Sequence, residues 1–351
     1  MIKIKILLVL FISFNVVSKD MVRVDLPYEN EDRHYYIYTP NTKETNPIDL
    51  VIGLHGYTGT ALGFERETTG GFNKAADDYG FIAVYPQGKF FYQKTFFGNE
   101  FISSWNDLAG SKSSGPLGAI CLANAFFYAQ YKNCEDVGRC AWASCGDDLN
   151  FIKIIIDQLK TTKNIKNIYV VGMSNGGMMA QALACEYPEL FSGVINVVGM
   201  QHLGLSCIPE KPINFIIYGA SKDETVPPIN IKADDGYLYE PMDKTAKDWS
   251  NKFQCRNEKT LTNNEFDKII EKEYFDCLNG VKIISLLNTE RFHTWPGIER
   301  NTGYCAYPID EISDYKDIRE SCSDIENFWG NKYLLDKLFW IFINFLHKYY
   351  T

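Results

Sequence analysis

An apolar run, Ile168-Tyr169-Val170-Val171, leads without a break into Gly172-Met173-Ser174-Asn175-Gly176-Gly177, and helix-forming residues follow from Met178. A strand that turns straight into a helix through small residues constrains the fold more than any other stretch of the 351 residues. Such a βα unit belongs beside parallel strands in a sheet that helices cover. Further apolar runs at 35–38, 50–54, 81–85, 194–198, 215–218 and 281–287 have the length of strands of that sheet. Asp148 is the expected cap of a helix carrying Leu149, Ile152, Ile155, Ile156 and Leu159. A last helix is expected over 332–349 with Leu335, Leu338, Phe339, Phe342, Phe345 and Leu346 inward. The alternation predicts an α/β fold with a mostly parallel central sheet and helices on both faces.

Two segments interrupt the alternation. Residues 90–147 begin with Phe90, Phe91, Tyr92, Phe96, Phe97, Phe101 and Trp105 and contain four cysteines, which reads as an enlarged insertion, either lid or substrate wall. Residues 310–326 hold seven acids against Lys316 and Arg319 and read as a solvated face. At the N-terminus, Lys3 and Lys5 precede an apolar stretch ending in Val16-Val17-Ser18, the pattern of a cleaved secretory signal over 1–18. Residues 19–351 are then expected to form one secreted, extracellular catalytic domain. No later stretch is apolar for long enough to cross a bilayer, so no membrane association is expected.

The formal net charge of −9 argues against nucleic acid as a partner. Ten cysteines, all beyond residue 18 and none in a Cys-x-x-Cys pair, read as disulfides of an exported protein and not as a metal site. No cofactor and no metal are expected, and the chain is expected to act as a monomer.

The turn at 172–176 has the form Gly-x-Ser-x-Gly between strand and helix, a nucleophile elbow that lifts the Ser174 hydroxyl clear of the sheet. A serine hydroxyl needs a base, and the chain has only five histidines. His34, His55 and His347 have structural positions, and His202 is the weaker candidate. His293 follows the run 281–287 on a loop, where a base belongs in this strand order. The acid that orients it should follow an intervening strand, and Asp223, after 215–218, fits best, with Glu224 as its neighbour and rival. The oxyanion donors are expected to be the backbone amides of Asn175 and of Tyr57, or of Thr58 if the turn after 50–54 is offset by one. Trp295, two residues beyond the base, is a candidate substrate contact or else a core residue pinning the loop.

Taken together with Leu54-His55-Gly56, Tyr85-Pro86-Gln87-Gly88, Ser104-Trp105-Asn106, Asp147-Asp148-Leu149-Asn150-Phe151, Leu183-Ala184-Cys185-Glu186 and His293-Thr294-Trp295-Pro296-Gly297, these residues resemble the secreted α/β hydrolases that include feruloyl esterases and polyhydroxybutyrate depolymerases. The resemblance implies the α/β-hydrolase fold, a triad of Ser174, Asp223 and His293, and disulfides from Cys255 to Cys277 and from Cys185 into the insertion, at Cys145 or a neighbour. It implies hydrolysis of a carboxylic ester, with a feruloyl ester of plant cell-wall polysaccharide ahead of acetylated xylan or a polyester. A non-catalytic carbohydrate-binding protein is the reading from another class. The family's glycines before the histidine are here Glu290-Arg291-Phe292, so the mouth of the site differs from the family pattern.

Overall fold

The computed structural model describes residues 21–297, except 41–46, 69–70, 97, 110–111, 133, 135–137 and 265–267, together with Leu334 and Lys337. The expected signal over 1–18, the acidic segment 310–326, His347, Cys305 and Cys322 lie outside the described residues, as does nearly all of the helix expected over 332–349. Leu334, which is buried, and Lys337, which pairs with Glu271 at 2.6 Å, are both helical.

The elements follow in chain order: β1 (Val22–Asp25), β2 (His34–Tyr38), β3 (Ile48–Leu54), α1 (Ala61–Glu67), α2 (Gly71–Tyr79), β4 (Phe81–Pro86), β5 (Lys89–Thr95), β6 (Gly98–Ser104), β7 (Ser114–Gly115) and β8 (Gly118–Ala119). Then come α3 (Asp148–Thr162), β9 (Ile165–Met173), α4 (Asn175–Glu186), β10 (Gly193–Val197), β11 (Asn214–Ala220), α5 (Met242–Lys252), β12 (Asn257–Asn263), β13 (Ile269–Phe275) and β14 (Ile283–Asn288). Ten strands form one sheet in the order β1-β2-β4-β3-β9-β10-β11-β14-β13-β12. The six central strands, β4 to β14 in that order, are parallel, and an antiparallel pair flanks them at each edge. All seven apolar runs of the sequence are strands here, six of them the parallel centre.

The central strands are apolar at consecutive positions because both their faces are buried. Leu50, Ile52 and Leu54 of β3 join one core layer with Phe151, Ile152, Ile155 and Ile156 of α3 and Met178 of α4. Val51 of β3 and Tyr169, Val171 and Met173 of β9 join the opposite layer with Phe64 of α1 and Phe72 of α2. The cap of α3 is Asp147, whose side chain accepts from the Asn150 amide at 3.2 Å, and not Asp148. Asp148 instead turns inward to an ion pair with Arg33 at 2.8 Å. Arg33 is distant in sequence, so the sequence alone gave no reason to separate the two carboxylates.

The insertion at 90–147 is ordered around the hairpin of β5 and β6, the short ribbon of β7 and β8, and two disulfides, Cys121–Cys140 and Cys134–Cys145. Cys255–Cys277 is present as the resemblance implies. Cys185, expected to reach the insertion, pairs with Cys207 instead. The loop carrying Cys207 is drawn onto α4 and α5: its carbonyl accepts from Gln181 Nε2 at 3.2 Å and from Trp249 Nε1 at 3.0 Å. The insertion's four cysteines are already paired with one another.

Candidate active site

The chain runs outward from β3 to β4 and then crosses to β9, so β3 and β9 are neighbours at the point where the strand order reverses. Parallel sheets bind ligands at the carboxyl ends of strands at such a point. Ser174 follows β9, and His55 to Thr58 follow β3 on the same edge. Ser174 has φ 55° and ψ −124°, a left-handed backbone that a residue with a side chain seldom adopts. The strain is held by the bond from its amide to the Val197 carbonyl at 2.8 Å and by close packing of strand and helix. A Cβ on Gly172 would overlap the Gly176 carbonyl, and one on Gly176 would overlap the Leu54 and His55 carbonyls. Glycine at both positions is therefore what lets α4 start against β3 and β9. The side chain of Ser174 lies beside Gly56, where an added Cβ would sit 3.9 Å from Oγ.

Asp223 follows β11 and His293 follows β14, on the same edge again. His293 Nδ1 donates to Asp223 Oδ2 at 2.7 Å, which leaves Nε2 free to accept a proton. The other carboxylate oxygen of Asp223 accepts from the amides of Thr225 at 2.9 Å and Val226 at 2.8 Å, so the acid is fixed before it meets the imidazole. Asp223 is buried, whereas Glu224, its rival in the sequence, is exposed. The two loops are tied directly through the Lys222 amide and the Arg291 carbonyl at 3.0 Å.

Trp295 shows where the histidine loop travels. Its ring is 1% exposed and packs edge-on against Phe64 of α1 at 5.5 Å and Phe72 of α2 at 5.9 Å. The helix α1 packs on β3 and β4, so the loop leaving β14 returns across the ends of β11, β10 and β9. That path carries His293 from the end of β14 toward α1, whose Glu67 senses its charge. It also corrects the reading of Trp295 as a substrate contact: the ring is a core residue that pins the loop.

Burial disfavours the His293 imidazolium, but the charge and hydrogen bond of Asp223, with the charge of Glu67, outweigh it and hold the group above its ordinary 6.5. Glu67, at the end of α1, is buried and is pushed up to about 7 by that burial, with His293 pulling the other way. No local pattern in the sequence marks this carboxylate as lying near His293. His202, the weaker candidate base, is buried, accepts from Trp142 Nε1 at 3.0 Å and is pushed down to about 3 by burial. It belongs to the core.

The Thr58 amide donates to the Ser103 carbonyl at 2.8 Å and is thereby committed. Of the two residues considered after β3, Tyr57 is the one whose amide these bonds leave for a ligand. Asn175 opens α4, where first-turn amides have no partner within the helix. Its side chain is engaged on every polar atom: Oδ1 accepts from the Trp105 amide at 2.6 Å, and Nδ2 donates to the Trp105 carbonyl at 3.1 Å and to Asp107 Oδ2 at 3.0 Å.

No family model matches the chain. Over 168 residues, 48% of its length, it is 25% identical to feruloyl esterase B of Neurospora crassa. Over 166 residues, 47% of its length, it is 25% identical to acetylxylan esterase A of Emericella nidulans. The chain spans less than half the length of these relatives, 44% and 42% respectively. An acetyl xylan esterase from Aspergillus awamori superposes on 79% of this chain and 95% of that one, with a TM-score of 0.52 at 18% identity, which establishes the shared fold. The chain has the fold of the α/β hydrolases and, over about half its length, is similar in sequence to feruloyl and acetylxylan esterases.

Proposed function

We propose that this protein is an extracellular serine esterase, residues 19–351 forming one catalytic unit after removal of 1–18. Ser174 Oγ attacks the ester carbonyl while His293 Nε2 takes the hydroxyl proton, and Asp223 steadies the imidazolium. The amides of Tyr57 and Asn175 receive the oxyanion. Collapse of the tetrahedral intermediate breaks the ester bond, and His293 returns its proton to the leaving alcohol. Water, deprotonated by His293, then attacks the acyl-enzyme and releases the carboxylic acid and Ser174. The observation that carries this reading is the bond of 2.7 Å between His293 and Asp223 on the sheet edge where the strained Ser174 follows β9.

The favoured substrate is a feruloyl ester of plant cell-wall polysaccharide. Support comes from the name of the Neurospora crassa relative and from the aromatic side chains that begin at the proposed oxyanion loop. Tyr57 packs edge-on against Trp142 at 5.2 Å and Tyr128 at 5.6 Å, and Tyr128 against the exposed Phe126 at 4.9 Å. Acetylated xylan is the second reading, favoured by the relatives named for it. Hydrolysis of methyl ferulate, feruloylated arabinoxylan, acetylated xylan and a hydroxybutyrate oligomer tests the choice. Ferulate release is the expected result. Acetate release alone moves the assignment to the second reading, and cleavage of the oligomer alone makes the protein a polyester depolymerase.

A further inference from the structure

The segment 103–107, which contains the motif Ser104-Trp105-Asn106, touches both loops that carry the proposed oxyanion donors. Toward β3, Trp105 Nε1 donates to the His55 carbonyl at 2.9 Å, and the Ser103 carbonyl accepts from the Thr58 amide at 2.8 Å. These bonds hold the chain on either side of Tyr57. Toward α4, the backbone of Trp105 and the carboxylate of Asp107 engage the oxygen and both N–H groups of the Asn175 side chain. Trp105 and Asn175 are fully buried and Asp107 nearly so. The second oxygen of Asp107 accepts from the Ala109 amide at 3.1 Å, so neutral amides on two sides fix the carboxylate. A side-chain amide with both its N–H groups and its oxygen engaged has one orientation, and the peptide bearing it is constrained accordingly.

Resting on the esterase reading above, we propose that Asp107 is a positioning residue for the reaction. Through the Asn175 side chain it aims the Asn175 N–H at the developing oxyanion, while Trp105 steadies the Tyr57 arm through His55. One short segment thus sets the separation of the two donors. A carboxylate suits the task because it accepts from both Asn175 and Ala109 at once, and a charged acceptor makes the stiffer bond.

Burial pushes Asp107 up to about 6, against the pull of the bonds from Ala109 and Asn175. Lys112 and Tyr239 also sense its charge, and lysine and tyrosine side chains ordinarily titrate well above this range. Protonation below that pH converts one acceptor oxygen into a hydroxyl and leaves the clamp with the polar complement of an Asp107→Asn variant.

The test is steady-state kinetics of Asp107→Asn and Trp105→Phe, on whichever ester the wild-type protein cleaves, from pH 5 to 8. Asp107→Asn is expected to lower kcat roughly 10- to 100-fold at pH 8 with KM within about threefold, the pattern of a donor misplaced in the transition state alone. The ratio of wild-type to variant kcat should narrow as pH falls through about 6. Trp105→Phe, which removes the indole N–H bond to His55 and leaves a smaller ring in the buried site, should lower kcat about 10-fold and keep the wild-type pH profile. Should Asp107→Asn fail to fold, Asp107→Ser, which keeps a short polar side chain without the charge, is measured in its place against the same expectations. A kcat within twofold of wild type, or a ratio constant across pH, would overturn the inference while leaving the esterase reading intact. A wild-type protein inert to every ester would overturn both.

Discussion

At the scale of single residues, the chemistry rests on which groups hold protons. The His293 imidazole is held above 6.5, so the proposed base should be lost, and kcat/KM should fall, as pH drops through a midpoint above that of free imidazole. Glu67 contributes to the raise. Replacing it with Gln removes a negative charge that favours the imidazolium, so the acidic limb of the pH profile should move to lower pH; an unmoved or raised midpoint would refute the role given to Glu67. Trp295→Ala should destabilise the protein by about 3–5 kcal/mol in denaturant unfolding, the range for emptying a buried tryptophan site. A substrate-contacting tryptophan would instead leave stability alone and raise KM. Ser174, Asp223 and His293 stand out in the sequence because each follows an apolar strand in the required order. Glu67, Asp107 and the burial of Trp295 do not, since nothing within a few residues of them signals what the fold packs against them.

At the scale of elements, legibility follows burial. The parallel strands announce themselves because both faces are covered and each carries a run of consecutive apolar residues. Asn257–Asn263 reads Asn-Glu-Lys-Thr-Leu-Thr-Asn, an exposed edge strand with no apolar alternation, and its pairing with β13 is visible only in the structure. The hairpin of β5 and β6 hides in the same way inside a segment whose aromatic start suggested an insertion. Cysteine counting predicted disulfides but could not choose the partner of Cys185, because loop closure over 22 residues to Cys207 leaves no mark in sequence. The disulfides of the insertion have a measurable role. Replacing Cys121 and Cys140 together with Ala opens a loop of 19 residues and should lower stability by about 3 kcal/mol. A variant with unchanged unfolding would mean that the insertion is held by its packing alone.

At the scale of the whole molecule, buried titrating groups set the acid limit. Burial pushes His34 and His55 down to about 4 and His202 to about 3, so each stays neutral in the folded state well below 6.5. Between those values the unfolded chain binds protons that the folded chain refuses, and stability falls as pH falls. Glu67 and Asp107, pushed up to about 7 and about 6, act in the opposite sense, because the folded state takes up their protons first. The three buried histidines lose stability on acidification, and the uptake at Glu67 and Asp107 offsets part of that loss. Thermal unfolding should show a Tm that declines steadily through this window; a flat or rising Tm would mean that the histidines are not kept neutral by the fold.

The central claim is that Ser174 is a nucleophile activated by the pair of His293 and Asp223. The most direct measurement is the reaction of the intact protein with a p-nitrophenyl phosphonate ester, followed by release of p-nitrophenol and mass mapping of the adduct. Expected are one equivalent of p-nitrophenol, a covalent phosphonyl group on the peptide containing Ser174, no labelling in Ser174→Ala, and labelling slowed at least about 1,000-fold in His293→Ala. Labelling at another residue, or at Ser174 with undiminished rate when His293 is removed, would contradict that claim.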